Sequence, residues 1–508
     1  QAELSEPKGE QMSINSPLSL PSNPRTFSAL IDGGLIGVDA RETIERENPA
    51  HCRVVSRYPK ATVEDAEAAI DAAHRAHTSG VWRNMSGADR SRLILKVAGL
   101  IDRNRAELRE IECLEVGKPI SLVDREINGA IAHWEYAATL ARHTYGDTYD
   151  QLGGNSLGLT FREPVGVVTM ITPWNYPLLI LSQKLPFALA VGCCAVVKPS
   201  ELSSGTTLRL GELLIEAGIP AGVVNIVAGI GAELGDILCG SPKVEMVSFT
   251  GSTKIGKLIG RTAGENLKKV SLELGGKAAH IVCADADLDL AAEKVALGAT
   301  RNAGQACVGG HRLLVESSIA DAFLDSVRKE LEKLVLGDPL DPGTTMGPLV
   351  SSQQCERVNG YIRAGKDAGA SAWQMPRGAS EGLPGYFVPP TVFTDVQPSM
   401  SIAQEEIFGP VLSVLPFSSF EEALEIANGT IYGLSAGVWT RNVDTAFAFG
   451  RNLKAGTVEI NTFLAGAPEL PLSGHGESGV GHERGRFAVE EFTRLRTVQF
   501  QLHKPHLM

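Results

Sequence analysis

The chain has 508 residues, 43% hydrophobic and 21% charged, a globular composition long enough for two or three core-bearing units. A formal net charge of −12 excludes a general nucleic-acid binder, and no apolar run reaches the ~18 residues that cross a bilayer. The 8 cysteines show no C-x-x-C pair and no Cys/His metal spacing, so no metal site is expected and the thiols are read as free in a reducing, cytoplasmic compartment.

Residues 1–26 read as a flexible tail: Gln1 to Asn23 is polar and lacks a signal-peptide core, and Met12 is a candidate native start. Ala61 to Ser79 reads as a helix capped by Thr62, with Asp65 completing a capping box. Apolar spacing near 3.6 continues through Ala88 to Arg105, Ala106 to Glu115 and Ala130 to His143. A short strand, Asn155 to Arg162, precedes a buried strand, Val165 to Ile171. From there helices and strands alternate. The order is helix Leu178 to Ala190, strand Ala195 to Val197, helix Leu208 to Ala217, strand Val223 to Val227 and helix Glu233 to Leu238. Strand Met246 to Thr250, helix Lys254 to Ala263 and strand Val270 to Glu273 follow. This order predicts a mostly parallel, doubly wound sheet, in which ligands bind at the carboxyl ends of strands. A second alternating run holds strand His280 to Cys283, helix Leu288 to Asn302, strand Arg312 to Val315 and helix Ala320 to Leu334. Beyond a Pro/Gly-rich connection, Pro376 to Pro390, come strand Val411 to Pro416 and helix Phe420 to Asn428. Strand Gly437 to Trp439, helix Val443 to Asn452 and strand Thr457 to Ile460 complete the run.

Several stretches carry chemistry, and each has a plainer reading beside it. Cys307 lies in Arg301-Asn302-Ala303-Gly304-Gln305-Ala306-Cys307-Val308-Gly309-Gly310, where small neighbours leave its sulfur open and let backbone N–H groups approach an oxyanion. A lone cysteine is otherwise a small buried hydrophobe. Glu273, before Leu274-Gly275-Gly276-Lys277, has the placement of a general base or of a solvated strand-end charge. Asn175 suits an oxyanion donor or an Asx turn before Pro177. Gly251-Ser252-Thr253-Lys254 opens a helix that suits a pyrophosphate or is simply capped by its own hydroxyls. Lys198 and Glu201 end another strand, as a ribose bracket or a loop pair. A carboxylate there favours NAD over NADP without excluding the latter. Glu406 and Phe408 place a carboxylate two residues before an aromatic, in a segment that also reads as a charged loop before Pro410.

Together and in this order, these stretches resemble the aldehyde dehydrogenase superfamily, from about Phe27 to Val498. The resemblance implies an α/β fold with two doubly wound Rossmann-like domains plus a small β oligomerisation element. By it, 27–144 and 164–274 form the NAD-binding domain and 275–474 the catalytic domain. The oligomerisation element is 145–163 with 491–508, and 475–490 is a connection near the substrate entrance. It implies NAD(P)-dependent oxidation of an aldehyde to a carboxylic acid in a homodimer or homotetramer, with no nucleic-acid or membrane partner. Carried over, Cys307 is the nucleophile, Glu273 the base, and Asn175 with the Cys307 N–H the oxyanion hole. Lys184 and Glu483 match positions of proton relay and site support. Thr172, Trp174, Lys198, Glu201, Gly251, Ser252, Gly275, Glu406 and Phe408 are implied to hold the cofactor. Glu273 argues against a CoA-acylating relative, and Cys307, Glu273 and Asn175 together argue against a non-catalytic one.

The sequence departs from the family where a Pro-Phe-Gly-Gly segment is usual: here it reads Pro471-Leu472-Ser473-Gly474-His475-Gly476, and Gly481-His482-Glu483 replaces Gly-Arg-Glu. Substrate class rests on Arg301, either a helix-end cation or an anion clamp. Arg301-Asn302-Ala303-Gly304-Gln305 is similar to the succinate-semialdehyde group, whose second arginine is replaced by Gln183. Ala467-Pro468-Glu469-Leu470-Pro471 is instead similar to the betaine-aldehyde and aminoaldehyde group, where Trp174 would serve an aromatic cage. The expectation is a short aldehyde with an anionic or polar far end. The alternatives are a betaine-aldehyde or aminoaldehyde substrate, or broad specificity.

Overall fold

A computed structural model describes residues 19–501. Most of the expected tail, 1–18, lies outside the described residues, as does 502–508 at the end of the expected oligomerisation element. The tail expectation fails at Arg25–Thr26, which form a strand parallel to Ser56 and Arg57, with Phe27 buried just beyond.

The Val63–Ser79 helix begins as its sequence predicts. The Thr62 hydroxyl accepts from the Asp65 N–H at 3.3 Å, and the Asp65 carboxylate accepts from the Thr62 N–H at 3.0 Å. Three further helices, Gly87–Arg103, Arg105–Val116 and Ile120–Leu140, follow. The last starts ten residues before the expected Ala130, because buried Ile120, Val123 and Ile127 extend its apolar stripe.

The first large sheet has eight strands. Its parallel centre runs Lys269–Glu273, Met246–Thr250, Val167–Ile171, Cys194–Lys198, Val224–Ile226. The chain winds outward from Val167–Ile171 in one direction and returns beside it with Met246–Thr250. These two strands therefore flank a topological switch point, where a crevice opens at their carboxyl ends. The edge next to Glu273 is closed by Gly479–Val480, running antiparallel. The expected connection 475–490 thus contributes a strand of its own.

The second sheet has seven strands, parallel from Thr391–Thr394 through Val411–Phe417, Gly310–Glu316, Ala278–Val282 and Ser435–Trp439 to Thr457–Ile460. Ile281 and Val282 are adjacent, so their side chains leave opposite faces of the sheet. Each enters a different apolar core, one holding Phe393 and Phe449, the other Phe323 and Trp439. A separate three-stranded sheet pairs Thr493–Gln501 with Ser156–Pro164, and that strand with Thr148–Tyr149.

Two departures from the expected helices fall beside the site. The span Leu178 to Ala190 is two helices, Pro177–Ser182 and Leu185–Val191. Pro186 has no N–H to continue a ladder, and Lys184 stands at the break. The span Leu288 to Asn302 stops at Thr300 and passes into a 3-10 turn, Arg301–Gly304.

Candidate active site

Four strand ends and one strained turn build the site. Asn302, Ala303 and Gly304 all have left-handed backbones, with φ of 52°, 54° and 73°. For Ala303 that conformation costs on the order of 1 kcal/mol. Polar contacts hold the turn: the Asn302 side-chain amide donates to the Asn175 carbonyl at 3.1 Å, and the Gln305 side chain donates to the Asn302 carbonyl at 2.9 Å. Gly304 is packed so closely on Gly409 that an added Cβ would lie 2.3 Å from its carbonyl. The turn delivers Cys307, half-buried, to the mouth of the Gly310–Glu316 strand. From the other sheet the Gly275-Gly276 segment approaches, and a Cβ on Gly276 would lie 2.4 Å from the Cys307 carbonyl.

Cys307 lines two cavities. One, of about 210 Å³, opens at the switch point among Trp174, Asn175, Gly251, Ser252, Gly275, Gln354, Arg357, Glu406 and Phe408. The other, of about 260 Å³, lies among Arg125, Glu126, Tyr176, Gln183, Arg301, Glu459, Leu472 and Arg484.

Asn175 is 2% exposed, and its amide donates to the Gln305 carbonyl at 3.0 Å, fixing it to the turn that carries Cys307. Glu273 is 3% exposed, with neither carboxylate oxygen hydrogen-bonded. Burial pushes its pKa up to about 7, against the charges of Lys184 and Arg484. Lys184 is fully buried, donates to Ser248 at 3.1 Å and pairs with Glu483. Burial pulls the Lys184 ammonium down toward neutrality. Glu273, Lys184 and Glu483 line neither cavity. The Cys307 thiol is pushed up to about 12, by burial first and then by the charges of Glu406 and Glu273. At rest it is protonated, so attack requires its proton to be taken.

The cofactor-side residues suit a dinucleotide. Ser252 caps the Thr253–Glu265 helix without a side-chain bond, which leaves the first N–H groups available to a phosphate. The Thr172 hydroxyl is buried without a partner beside this crevice. Gly275 has no room for a side chain, since a Cβ would meet a Glu406 carboxylate oxygen at 2.4 Å. Glu406 accepts from the Gly276 N–H at 3.0 Å, and burial raises its pKa to about 7. Lys198 and Glu201 line neither cavity. They pair at 3.3 Å at the next strand end, with Glu201 reaching solvent.

Arg301 and Gln183 line the larger of these two cavities, and the Arg301 Nε is buried with no partner. Trp174 does not line that cavity. It stands edge-on to Phe408, with ring centres 5.3 Å apart, on the cofactor side, so it builds no cage for a cationic substrate there. Among the lining residues outside the sequence expectation are Gln354 and Arg357, on a helix not foreseen, Arg484, beside the atypical Gly481-His482-Glu483 segment, and Arg125, Tyr176 and Glu459.

The model of the aldehyde dehydrogenase family matches residues 37–498. A betaine aldehyde dehydrogenase of Bacillus subtilis (strain 168) is 39% identical over 471 residues, 92% of this chain and 96% of that protein. The crystal structure of an NAD-dependent aldehyde dehydrogenase from Sinorhizobium meliloti superposes with a TM-score of 0.91 at 45% identity, covering 94% of this chain and 95% of that one. The NAD+ complex of an aldehyde dehydrogenase from Bacillus cereus superposes at 0.90 with 40% identity, covering 94% and 96%. On these matches, spanning nearly the full length of both partners, the chain belongs to the aldehyde dehydrogenase family.

Proposed function

We propose that this chain oxidises an aldehyde to a carboxylic acid through a thioester on Cys307, with NAD as the oxidant. The observation that carries the reading is that one cysteine lines both cavities, so an aldehyde in one and a dinucleotide in the other meet at its sulfur. The solved NAD-dependent relatives, and a helix N-terminus left free at Ser252, support the cofactor.

Cys307 gives its proton to solvent water and its sulfur bonds to the aldehyde carbon, whose C=O electron pair moves onto oxygen to give a tetrahedral oxyanion. The Asn175 side-chain amide and the Cys307 N–H stabilise that charge. Removing one such donor typically costs about 3–4 kcal/mol of barrier. NAD, when bound, supplies the acceptor for the hydride that leaves this carbon. Glu273 then takes a proton from water, the hydroxide adds to the thioester carbon, and the carbon–sulfur bond breaks to release the acid. Glu406 and Phe408 position the nicotinamide end, and Lys198 with Glu201 the adenosine ribose. Lys184 and Glu483 support the site from within the wall.

The substrate has an anionic or polar far end, held at Arg301, whose Nε lacks a partner. The likeness to a betaine aldehyde dehydrogenase favours a cationic substrate instead, which would meet the positive charge of Arg301. The working unit is a homodimer or homotetramer.

The test is stopped-flow NADH formation. Cys307→Ala yields no NADH, whereas Glu273→Gln yields one equivalent per site and then stalls. Sustained turnover by Cys307→Ala would exclude the thioester route.

A further inference from the structure

Arg484 is a second guanidinium on the substrate-side cavity, and nothing in the family reading gives it a task. Its backbone is left-handed, φ 62°, and it sits between two fixed neighbours. Glu483 is anchored by its pair with Lys184 and by reciprocal backbone bonds of 2.8 Å with Leu472. Gly485, also left-handed at φ 59°, donates to the Pro468 carbonyl at 2.8 Å. The side chain is thereby aimed at the cavity wall. There Gly466 makes room, since a Cβ on it would lie 3.0 Å from the Arg484 Nη1.

The guanidinium has no hydrogen bond or ion pair among the described residues, and its Nε is buried without a partner. Both carboxylates that line this cavity are committed elsewhere: Glu459 accepts from Leu464 N–H at 2.9 Å and Ala465 N–H at 2.8 Å, and Glu126 pairs with the buried Lys118. Arg301 repeats the pattern on the same cavity. Two partly buried like charges without partners on one cavity are unfavourable in the free protein, and an anion bound in that cavity would supply the missing acceptors.

We infer that Arg484 is a specificity-determining residue that, with Arg301, clamps the anionic end of the aldehyde, supplying from the C-terminal loop the second guanidinium that Gln183 does not. The inference rests on the aldehyde-oxidation reading for the substrate's other end. Its ligand class is a short aldehyde ending in a carboxylate or sulfonate.

Two measurements test it. The first is kcat/KM for a carboxylate-ended aldehyde and for a neutral aldehyde of equal length, in wild type, Arg484→Leu and Arg484→Lys. The expected loss in Arg484→Leu is about tenfold or more greater for the anionic substrate, carried by KM, with partial recovery in Arg484→Lys. Equal losses on both substrates, or a shifted pH profile on the neutral one, would show that Arg484 acts through Glu273 and overturn the clamp. The second is calorimetric titration with butyrate against its neutral isostere butyramide, which needs no turnover. Wild type is expected to prefer butyrate, and Arg484→Leu and Arg301→Leu each to lose that preference. No preference in wild type overturns the clamp. Preference without aldehyde oxidation would instead sink the reaction assigned to the site and leave the clamp standing.

Discussion

At Glu273 a carboxylate ends a buried strand with no donor on either oxygen, so burial dominates its ionisation and its pKa rises to about 7. The sign for catalysis follows. Only the ionised form takes a proton from water, and that form is lost as pH falls through the raised value. Thioester hydrolysis is therefore expected to slow on the acid side of about pH 7, with kcat falling roughly tenfold per pH unit below the inflection when hydrolysis limits turnover. The pH dependence of steady-state kcat, set beside that of the pre-steady-state burst, checks this. A kcat flat from pH 5 to 8, about three units across the inflection, would remove Glu273 from the base role. Cys307 behaves differently. Its thiol is held up to about 12, so the burst depends on proton removal during attack rather than on a standing thiolate.

At the scale of elements, the parallel strands were legible because fully buried strands are continuous apolar runs. Met246–Thr250, buried at every position, begins and ends where its sequence predicts, as do the half-buried strand Thr457–Ile460 and the helix Phe420–Asn428. The Ser352–Asp367 helix was not legible. It buries only Val358, Ile362 and Gly365, so its polar sequence carries no strong stripe, yet it supplies Gln354 and Arg357 to the cofactor cavity. The break at Lys184 was hidden for the opposite reason, since both short helices flanking it are apolar. The catalytic candidates were readable because they sit at strand ends and glycine corners. Arg484 was not, because its role depends on a loop path that joins distant residues. The strand-end logic extends to Lys198 and Glu201, whose carboxylate reaches solvent where a ribose hydroxyl is expected to lie. Glu201→Gln removes the charge that opposes a 2′-phosphate. It is expected to narrow the preference for NAD over NADP by about tenfold, measured as the ratio of kcat/KM for the two cofactors. An unchanged ratio would place the discrimination elsewhere.

At the scale of the molecule, the three-stranded sheet is the part of the fold least able to stand alone. Cross-strand pairing sets Leu157 beside Phe500, Leu159 beside Val498 and Phe161 beside Arg496, so these side chains share one face. Phe161 is 46% exposed and Phe500 43%, while Leu157, Leu159 and Val498 are half-buried. A mostly apolar face of this kind on a small sheet, with the ion-paired Arg496 beside Phe161, is characteristic of an association surface. The homo-oligomer proposed above places a second copy of the chain there, by a self-complementary contact between equivalent faces. Placing a carboxylate at two points of that face, Phe161→Glu with Phe500→Glu, is expected to yield a monomer by sedimentation velocity. Neither residue lines the active-site cavities, so residual Cys307 chemistry in the variant would come from the isolated subunit. A double variant that sediments like the wild type would move the interface away from this sheet. A wild type that is already monomeric at micromolar concentration would remove the need for one.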